Sequence, residues 1–252
     1  MTPVILTDLD DTLFTTLKNY RDRDPATLRR VTTANNGNHS YLCETREAIL
    51  KWVSLGATII PVTARSQGAY DRVDMVFTEG AVLSNGAIIL LPNGDVDTSW
   101  SEITRTICLT AAPIYDRISR VLAAFDPDDS IIRVLRHTHN GVMIGMTIKS
   151  NDEAEYLIKR NLHTAISLLG PVVPEGAMQM HVNGNNLAII PPGISKMAAV
   201  QYLISVRPDL QCRPLIGAGD SLSDLPFMEL CDMMLVPNRS QASARLFKKS
   251  VE

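Results

Sequence analysis

The stretch that most constrains the fold runs from Pro3 to Phe14, where a short apolar segment leads directly into Asp8, Asp10 and Asp11. The apolar segment predicts a buried strand, and carboxylates at the edge of a core are costly to desolvate without a partner. That partner is a divalent cation or a basic side chain. Because Asp8 and Asp10 are two residues apart, their side chains point the same way in extended backbone. Open α/β sheets bind their ligands at this carboxyl edge of the strands.

The composition is that of an ordinary globular chain. Its 252 residues are 45% hydrophobic and 20% charged, with a net charge of -3, which indicates neither a nucleic-acid surface nor a membrane-binding patch. No apolar run is long enough to span a bilayer. The four cysteines are widely spaced, without a C-x-x-C motif that would indicate zinc or a disulfide framework. We therefore expect a cytoplasmic protein with no membrane or nucleic-acid partner.

A second apolar segment also ends in polar residues. A helix predicted over 45–55 precedes the segment 57–65, which ends in Thr63 and Arg65. Alternation of helices and strands is typical of a parallel sheet. The sequence thus predicts an α/β fold in which Thr63 lies at the same sheet edge as the first acidic residues.

A third apolar segment, 213–219, ends in a G-x-G turn that is followed by Asp220 and Asp224 at the start of a helix. Glycines allow close approach of the backbone. A dinucleotide site is disfavoured, because the third glycine of the G-x-G-x-x-G motif is missing and the acidic residue Asp220 lies where pyrophosphate would bind. The acids here are better suited to a cation.

The middle of the chain has the pattern of a separate α+β unit. Two apolar strands flank residues 84–86, where we expect the chain to leave one domain and enter another. Further helices and strands are predicted over 101–125, 131–138, 142–149, 152–169, 178–183 and 186–190. We therefore predict a discontinuous core, residues 1–86 and 192–252, and an inserted domain, residues 87–191.

Two features need partners that the local sequence does not supply. Lys196 stands at the start of a predicted helix, where the helix dipole disfavours a cation, so we expect an anionic partner from elsewhere or a solvent-facing side chain. Residues 15–44 are polar and irregular, and predict a long loop rather than a core element. Loops of this length are often functional.

Four motifs, in order along the chain, resemble those of the haloacid-dehalogenase-like (HAD) hydrolases. The segments that match are 8–12 (D-L-D-D-T), 63–65 (T-A-R), 193–196 (G-I-S-K) and 219–224 (G-D-S-L-S-D). The large insert is similar to that of the Cof-type and sucrose-phosphatase-like branch. The resemblance implies a Rossmann-like three-layer core with an α+β cap domain over residues 87–191.

The resemblance also implies a chemistry. In that family Asp8 would be the nucleophile that becomes phosphorylated, Asp10 would transfer protons, and Thr63 and Lys196 would bind the phosphoryl oxygens. The implied metal is Mg²⁺, with Asp8, Asp10 and Asp220 as ligands and Asp224 either on the metal or holding Lys196. Many relatives have asparagine where this chain has Ser223, so the supporting role of that amide is missing here.

Substrate choice follows from the resemblance as well. Members of this branch commonly hydrolyse phosphorylated sugars or other small metabolites, and we expect such a partner here. Residues Arg65, Asn85 and Ser221 would contact the substrate, residues 15–44 would form a flap, and the insert would provide specificity.

Three other functions are compatible with parts of this pattern. A phosphomutase or phosphotransferase uses the same motifs and differs only in the phosphoryl acceptor. A receiver-like regulatory domain also uses an Asp, a Thr or Ser, a Lys and Mg²⁺, but it is much shorter and carries its acid in mid-domain. A non-catalytic phosphosugar-binding module is disfavoured, because sites rather than folds carry function and Asp8, Asp10, Lys196 and Asp220 are all present.

Overall fold

The structure is a computed structural model that describes residues 1–35 and 37–247. The strands are Val4–Thr7 (β1), Thr15–Thr16 (β2), Arg29–Arg30 (β3), Ser40–Leu42 (β4), Thr58–Pro61 (β5), Ala81–Leu83 (β6), Ile88–Leu90 (β7), Ile132–His139 (β8), Val142–Ser150 (β9), Gln179–Asn183 (β10), Asn186–Ile190 (β11), Leu215–Ala218 (β12) and Met233–Leu235 (β13). The helices are Glu44–Gly56 (α1), Gln67–Tyr70 (α2), Thr98–Phe125 (α3), Glu155–Leu169 (α4), Lys196–Val206 (α5), Pro208–Gln211 (α6), Leu225–Met228 (α7) and Gln241–Phe247 (α8).

The central sheet is parallel and has the strand order β13-β12-β1-β5. All four residues of β1 are buried, as the apolar run at the N-terminus predicts. The last residue of β1, Thr7, pairs with Pro61 on one side and with Ala218 on the other. Three neighbouring strands therefore end at the same level of one sheet edge. Proline is tolerated at Pro61 because β5 is an edge strand of this sheet.

The core of this sheet consists of aliphatic strand residues packed against helix residues. Val4 and Leu6 of β1 belong to one buried cluster with Ala199, Val200 and Leu203 of α5. The helix follows the expected spacing, since residues three and four apart lie on one face. Lys196 precedes that apolar face by one turn, which brings its side chain to the sheet edge described below.

The chain divides into two compact units, one of residues 1–100 with 196–252 and one of residues 101–195. The hairpin β6–β7 belongs to the first unit, with Leu83 paired to Ile88. Its backbone pairing holds residues 87–90 in the first unit, which lies beyond the predicted boundary at residue 86. The function of the two parts as catalytic core and cap stays a prediction.

The second unit, residues 101–195, is an antiparallel sheet with two long helices, which fits the predicted α+β class. Its strand order is β10-β11-β9-β8. Tyr115 and Ile118 of α3 and Leu162 of α4 share a buried cluster with Met146 and Ile148 of β9. We call this unit the insert. Together the two units confirm the predicted fold class, an α/β core with an inserted α+β domain.

The polar excursion over 15–44 is not a structureless loop. It contains a small antiparallel sheet of order β2-β4-β3 and short 3-10 helices at Leu17–Tyr20 and Pro25–Thr27. Strands β2 and β3 have two residues each, too few for an alternation of apolar and polar residues to be detected. The sequence also predicts a closing helix over 240–249. It is described to Phe247, and residues 248 and 249 lie outside the described part of the chain.

Candidate active site

The polar residues that follow the three aligned strands lie at one edge of the central sheet. Asp8 follows β1 and Asp220 follows β12 after Gly219, whereas Thr63 follows β5 by two residues. Backbone hydrogen bonds continue the alignment past the strand ends, since Asp8 N donates to Ala218 O at 2.9 Å and Val62 N donates to Thr7 O at 2.7 Å. As predicted, these residues follow strands that end at the same carboxyl edge of the sheet.

Three carboxylates form a cluster at this edge. Oxygen atoms of Asp8, Asp220 and Asp224 all lie within 4.8 Å of one another. Asp8 and Asp224 are buried, and Asp220 is partly exposed. Three carboxylates this close together, two of them buried, need counter-charge. Hard oxygen ligands of this type suit a divalent cation. The cluster is the one group of potential side-chain metal ligands identified in the described residues.

Lys196 provides part of that counter-charge. Its Nζ lies 2.6 Å from Asp8 Oδ1 and 2.6 Å from Asp224 Oδ1, and its side chain is 5% exposed. The first residue of α5 therefore has the anionic partners that its position at a helix start requires. Of the two roles left open for Asp224, the contact to Lys196 is present, and the cluster also places it within reach of a shared cation.

The electrostatics of the cluster favour uptake of a positive charge. Burial raises the pKa of Asp8, and although Lys196 opposes this effect, the Asp224 carboxylate adds to it. Burial, Asp224 and Asp11 together raise the pKa of Asp220 to about 6. One lysine thus only partly neutralises three carboxylates, and the site is built to take up a proton or a cation.

Asp224 is held in place by the turn that precedes it. Its Oδ2 accepts hydrogen bonds from Ser221 N at 2.9 Å and Ser221 Oγ at 2.7 Å. Ser221, which was predicted to bind substrate, thus has its hydroxyl on Asp224, and a second contact of 2.8 Å joins it to Ser223 Oγ. The turn orients a cluster carboxylate through these bonds.

The other two predicted substrate-binding residues lie near the end of β5. Arg65 forms a bidentate ion pair with Asp10, in which Nε lies 2.7 Å from Oδ2 and Nη2 lies 2.7 Å from Oδ1. The Asp10 side chain lies outside the carboxylate cluster. Asn85 has a left-handed backbone, with φ of 57°, and its N–H donates to Thr63 O at 3.1 Å. Thr63 is buried, and its Oγ1 accepts from Arg65 N at 3.2 Å.

The sequence interpretation assigned no side-chain role to Thr12 or Asp11. Thr12 Oγ1 donates to Asp220 Oδ1 at 3.1 Å and so connects the first acidic segment to the last. Asp11 Oδ1 accepts from Thr15 Oγ1 and, at 3.0 Å, from Asn19 Nδ2, which ties the excursion to the site. Thr12 stands inside the first motif, so that motif was a usable signal. The contacts of Asp11 depend on its φ of 61°, which the sequence does not specify.

Comparison with known proteins gives matches among solved structures alone. No protein-family model matches the sequence, and no curated protein matches it. The C-terminal domain of a trehalose-6-phosphate phosphatase from C. albicans aligns with a TM-score of 0.58 at 14% identity, over 90% of this chain and 73% of that one. A sucrose-phosphatase from Synechocystis in complex with sucrose and phosphate gives a TM-score of 0.55 at 12% identity, over 98% and 96%. A Plasmodium falciparum IMP-nucleotidase bound to IMP gives 0.57 at 11%, over 99% and 68%.

These structures define the class of the fold. The protein has a Rossmann-like α/β core, an inserted α+β unit and a carboxylate cluster at the carboxyl edge of the central sheet. The fold is that of this trehalose-6-phosphate phosphatase, sucrose-phosphatase and IMP-nucleotidase, as the resemblance of the four motifs implies. Identities of 11–14% establish the fold and leave the activity to the site residues. Within the described residues, no helix is both long and apolar enough to span a membrane.

Proposed function

We propose that this protein is a Mg²⁺-dependent phosphomonoester hydrolase that acts through an aspartyl-phosphate on Asp8. The observation that carries the proposal is the contact of Lys196 with both Asp8 and Asp224 at 2.6 Å, inside a cluster of carboxylates at the end of β1. A carboxylate nucleophile needs charge compensation to approach a phosphoryl dianion, and this arrangement supplies it.

The ligand set fits Mg²⁺ better than a softer metal. Asp8 and Asp220 are the proposed side-chain ligands, Asp224 is a third candidate, and the Asp10 carbonyl oxygen completes the protein's share. All of these are hard oxygen donors, and cysteine and histidine do not enter the cluster. When bound, Mg²⁺ supplies charge neutralisation and orientation of the phosphoryl group.

The residues then divide the chemistry in two steps. An oxygen of Asp8 attacks phosphorus while the bond to the leaving oxygen breaks, and Asp10 gives that oxygen a proton. Asp10 next takes a proton from water as the water oxygen attacks phosphorus and the bond to Asp8 breaks. Lys196 and Thr63 bind the phosphoryl oxygens throughout, and neither gains nor loses a proton. Inorganic phosphate and an alcohol are the products.

The proposed substrate is a phosphorylated sugar or a similar small metabolite. This rests on the names of two fold neighbours, a trehalose-6-phosphate phosphatase and a sucrose-phosphatase. The site residues described above handle phosphate and cation, which all phosphomonoesters share. We assign substrate selectivity to the insert, as a cap, and to Asn85 near the end of β5.

The direct test uses Asp8→Asn with Asp95→Asn as the matched control, because Asp95 is an exposed aspartate after β7, far in sequence from the four motifs. Phosphate release is measured with Mg²⁺ on phosphorylated sugars, nucleoside monophosphates and an aryl phosphate. Asp8→Asn is expected to abolish release, and Asp95→Asn to leave it unchanged. Acid quench and mass spectrometry should locate the phosphoryl group on the peptide that contains Asp8. Substantial turnover by Asp8→Asn would remove Asp8 as the nucleophile.

The same assay separates hydrolysis from phosphoryl transfer. Hydrolysis releases one phosphate for each substrate consumed. A phosphomutase or phosphotransferase would consume substrate with little phosphate release and would yield a new phosphorylated product, detectable by mass.

A further inference from the structure

The proposed chemistry makes no use of the contact between Arg65 and Asp10. The guanidinium meets the carboxylate with two parallel hydrogen bonds of 2.7 Å each, which is the geometry of a specific rather than a diffuse ion pair. The Arg65 side chain is 16% exposed and that of Asp10 is 47% exposed. The arginine is therefore the fixed member of the pair.

Three other contacts hold Arg65. Its Nη1 donates to Ala69 O in α2 at 3.3 Å, and its Nη2 donates to Ser40 Oγ in β4 at 3.4 Å. Its guanidinium carbon lies 5.2 Å from the centre of the Phe14 ring, within the range of a cation–π interaction. Arg65 is thus anchored to α2, to the small sheet and to the loop after β1, all of them in the first unit.

Asp10 has no comparable anchor of its own. Among the described residues, Arg65 is the sole hydrogen-bond partner recorded for its carboxylate. The position of the Asp10 carboxylate is therefore set by an arginine that is itself set by three segments. We propose that Arg65 is a positioning residue that holds Asp10 for proton transfer, and that it does not bind substrate. This inference rests on the proposed function.

A positioning role has a kinetic signature that a substrate-binding role lacks. Proton donation by Asp10 matters for a poor leaving group, such as the alkoxide of an alkyl phosphate, and matters little for dinitrophenolate, which departs without a proton. The value of kcat/KM reports the steps up to departure of the leaving group. Loss of Arg65 should therefore reduce kcat/KM for an alkyl phosphate far more than for dinitrophenyl phosphate.

The experiment compares Arg65→Met, Asp10→Asn and the double variant on these two esters with Mg²⁺. Arg65→Met is expected to lower kcat/KM for the alkyl phosphate by about 10²-fold, the low end of general acid–base contributions, and for dinitrophenyl phosphate by less than about 10-fold. The double variant should lose little beyond Asp10→Asn alone, because both changes remove the same function. Arg65→Lys, which keeps the charge without the two-pronged geometry, should fall between wild type and Arg65→Met.

Arg207→Met is the matched control, because Arg207 also pairs with two carboxylates, those of Glu79 and Asp209, at 2.8 and 2.7 Å. It should leave the ratio of the two kcat/KM values unchanged. If Arg65→Met does not fold, the same ratio is measured with Arg65→Lys. Equal losses on both esters, or losses that multiply in the double variant, would overturn the positioning role alone. A wild-type protein inactive on both esters would instead overturn the proposed function, and this inference with it.

Discussion

Gly219 lies so close to Asp224 that a Cβ atom on the glycine would be 2.4 Å from the Asp224 Cβ. No non-bonded carbon pair tolerates that separation, so the second glycine of the G-x-G turn is required by packing. The space it leaves is occupied by the carboxylate that bonds Lys196. The glycine-rich turn at the end of β12 thus makes room for the Asp224 side chain. This explains why its pattern departs from that of a dinucleotide-binding loop.

Gly219→Ala is therefore expected to displace Asp224 and to lower the free energy of unfolding by about 1–3 kcal/mol, the usual cost of overpacking a buried position. Urea denaturation measures this change. Gly56→Ala is the control, because a Cβ at this last residue of α1 would meet no atom within 4 Å. The control should be unchanged or more stable by up to about 1 kcal/mol. Equal stabilities of the Gly219 variant and wild type would show that the turn relaxes without cost.

The sheet edge could be predicted because the decisive information is local. The apolar run before Asp8 and the G-x-G turn before Asp220 both mark strand ends in the sequence itself, and parallel strands bring their ends together. For Lys196 the helix start predicted either an acidic partner or a solvent-facing side chain, and the structure shows two acidic partners. These residues meet as the sequence predicts.

The remainder of the site depends on contacts between distant segments. The sequence gives no sign that Arg65 would reach Asp10, since this geometry requires Ser40 and Phe14 to anchor the arginine. Likewise, β7 pairs with β6 and lies in the first unit, beyond the predicted boundary at residue 86, and no periodicity in either strand reveals this pairing. Pairing of short strands is a property of the folded chain, and single-sequence patterns record it weakly.

Lys196→Met should leave the buried carboxylates Asp8 and Asp224 without their shared cation. Removing one member of a buried ion pair commonly costs about 3–5 kcal/mol, and a loss of this size is expected at neutral pH without metal. Lys159→Met is the matched control, because Lys159 pairs with Glu155 on the exposed surface of α4, where an ion pair contributes little to stability. Chemical denaturation of both variants in the presence of a chelator measures the difference. Similar losses in the two variants would contradict a buried, coupled lysine.

Without metal, Asp220 should make the protein less stable as the pH rises from about 4 to 6. The pKa of Asp220 is raised to about 6, so between the ordinary carboxyl pKa of about 4 and that value the folded state holds more protons than the unfolded state. The free energy of unfolding then decreases with increasing pH, and Asp8, whose pKa is also raised, contributes with the same sign. Denaturation midpoints over this pH range, with a chelator present, measure the slope.

Mg²⁺ should reverse this trend, because it binds the deprotonated carboxylates of the folded state. Added Mg²⁺ is thus expected to raise the denaturation midpoint more at pH 7 than at pH 5. Asp220→Asn should reduce both the slope without metal and the response to Mg²⁺. If millimolar Mg²⁺ left the denaturation midpoint unchanged at neutral pH, this would contradict a metal site at this cluster.

The two tryptophans allow a stability test outside the site. Trp100 is 5% exposed, and its Nε1 donates to Gly86 O at 2.9 Å, whereas Trp52 on α1 is 72% exposed. Trp100→Phe leaves that carbonyl unsatisfied in a buried place, so the free energy of unfolding should fall by about 1–3 kcal/mol. Trp52→Phe should change it by less than about 0.5 kcal/mol, as is usual for surface substitutions. Tyrosine circular dichroism during urea denaturation follows both variants with the same probe. Equal losses in the two variants would show that the bond from Trp100 to Gly86 does not hold the β6–β7 turn against the start of α3. The position of that turn in the first unit would then have another cause.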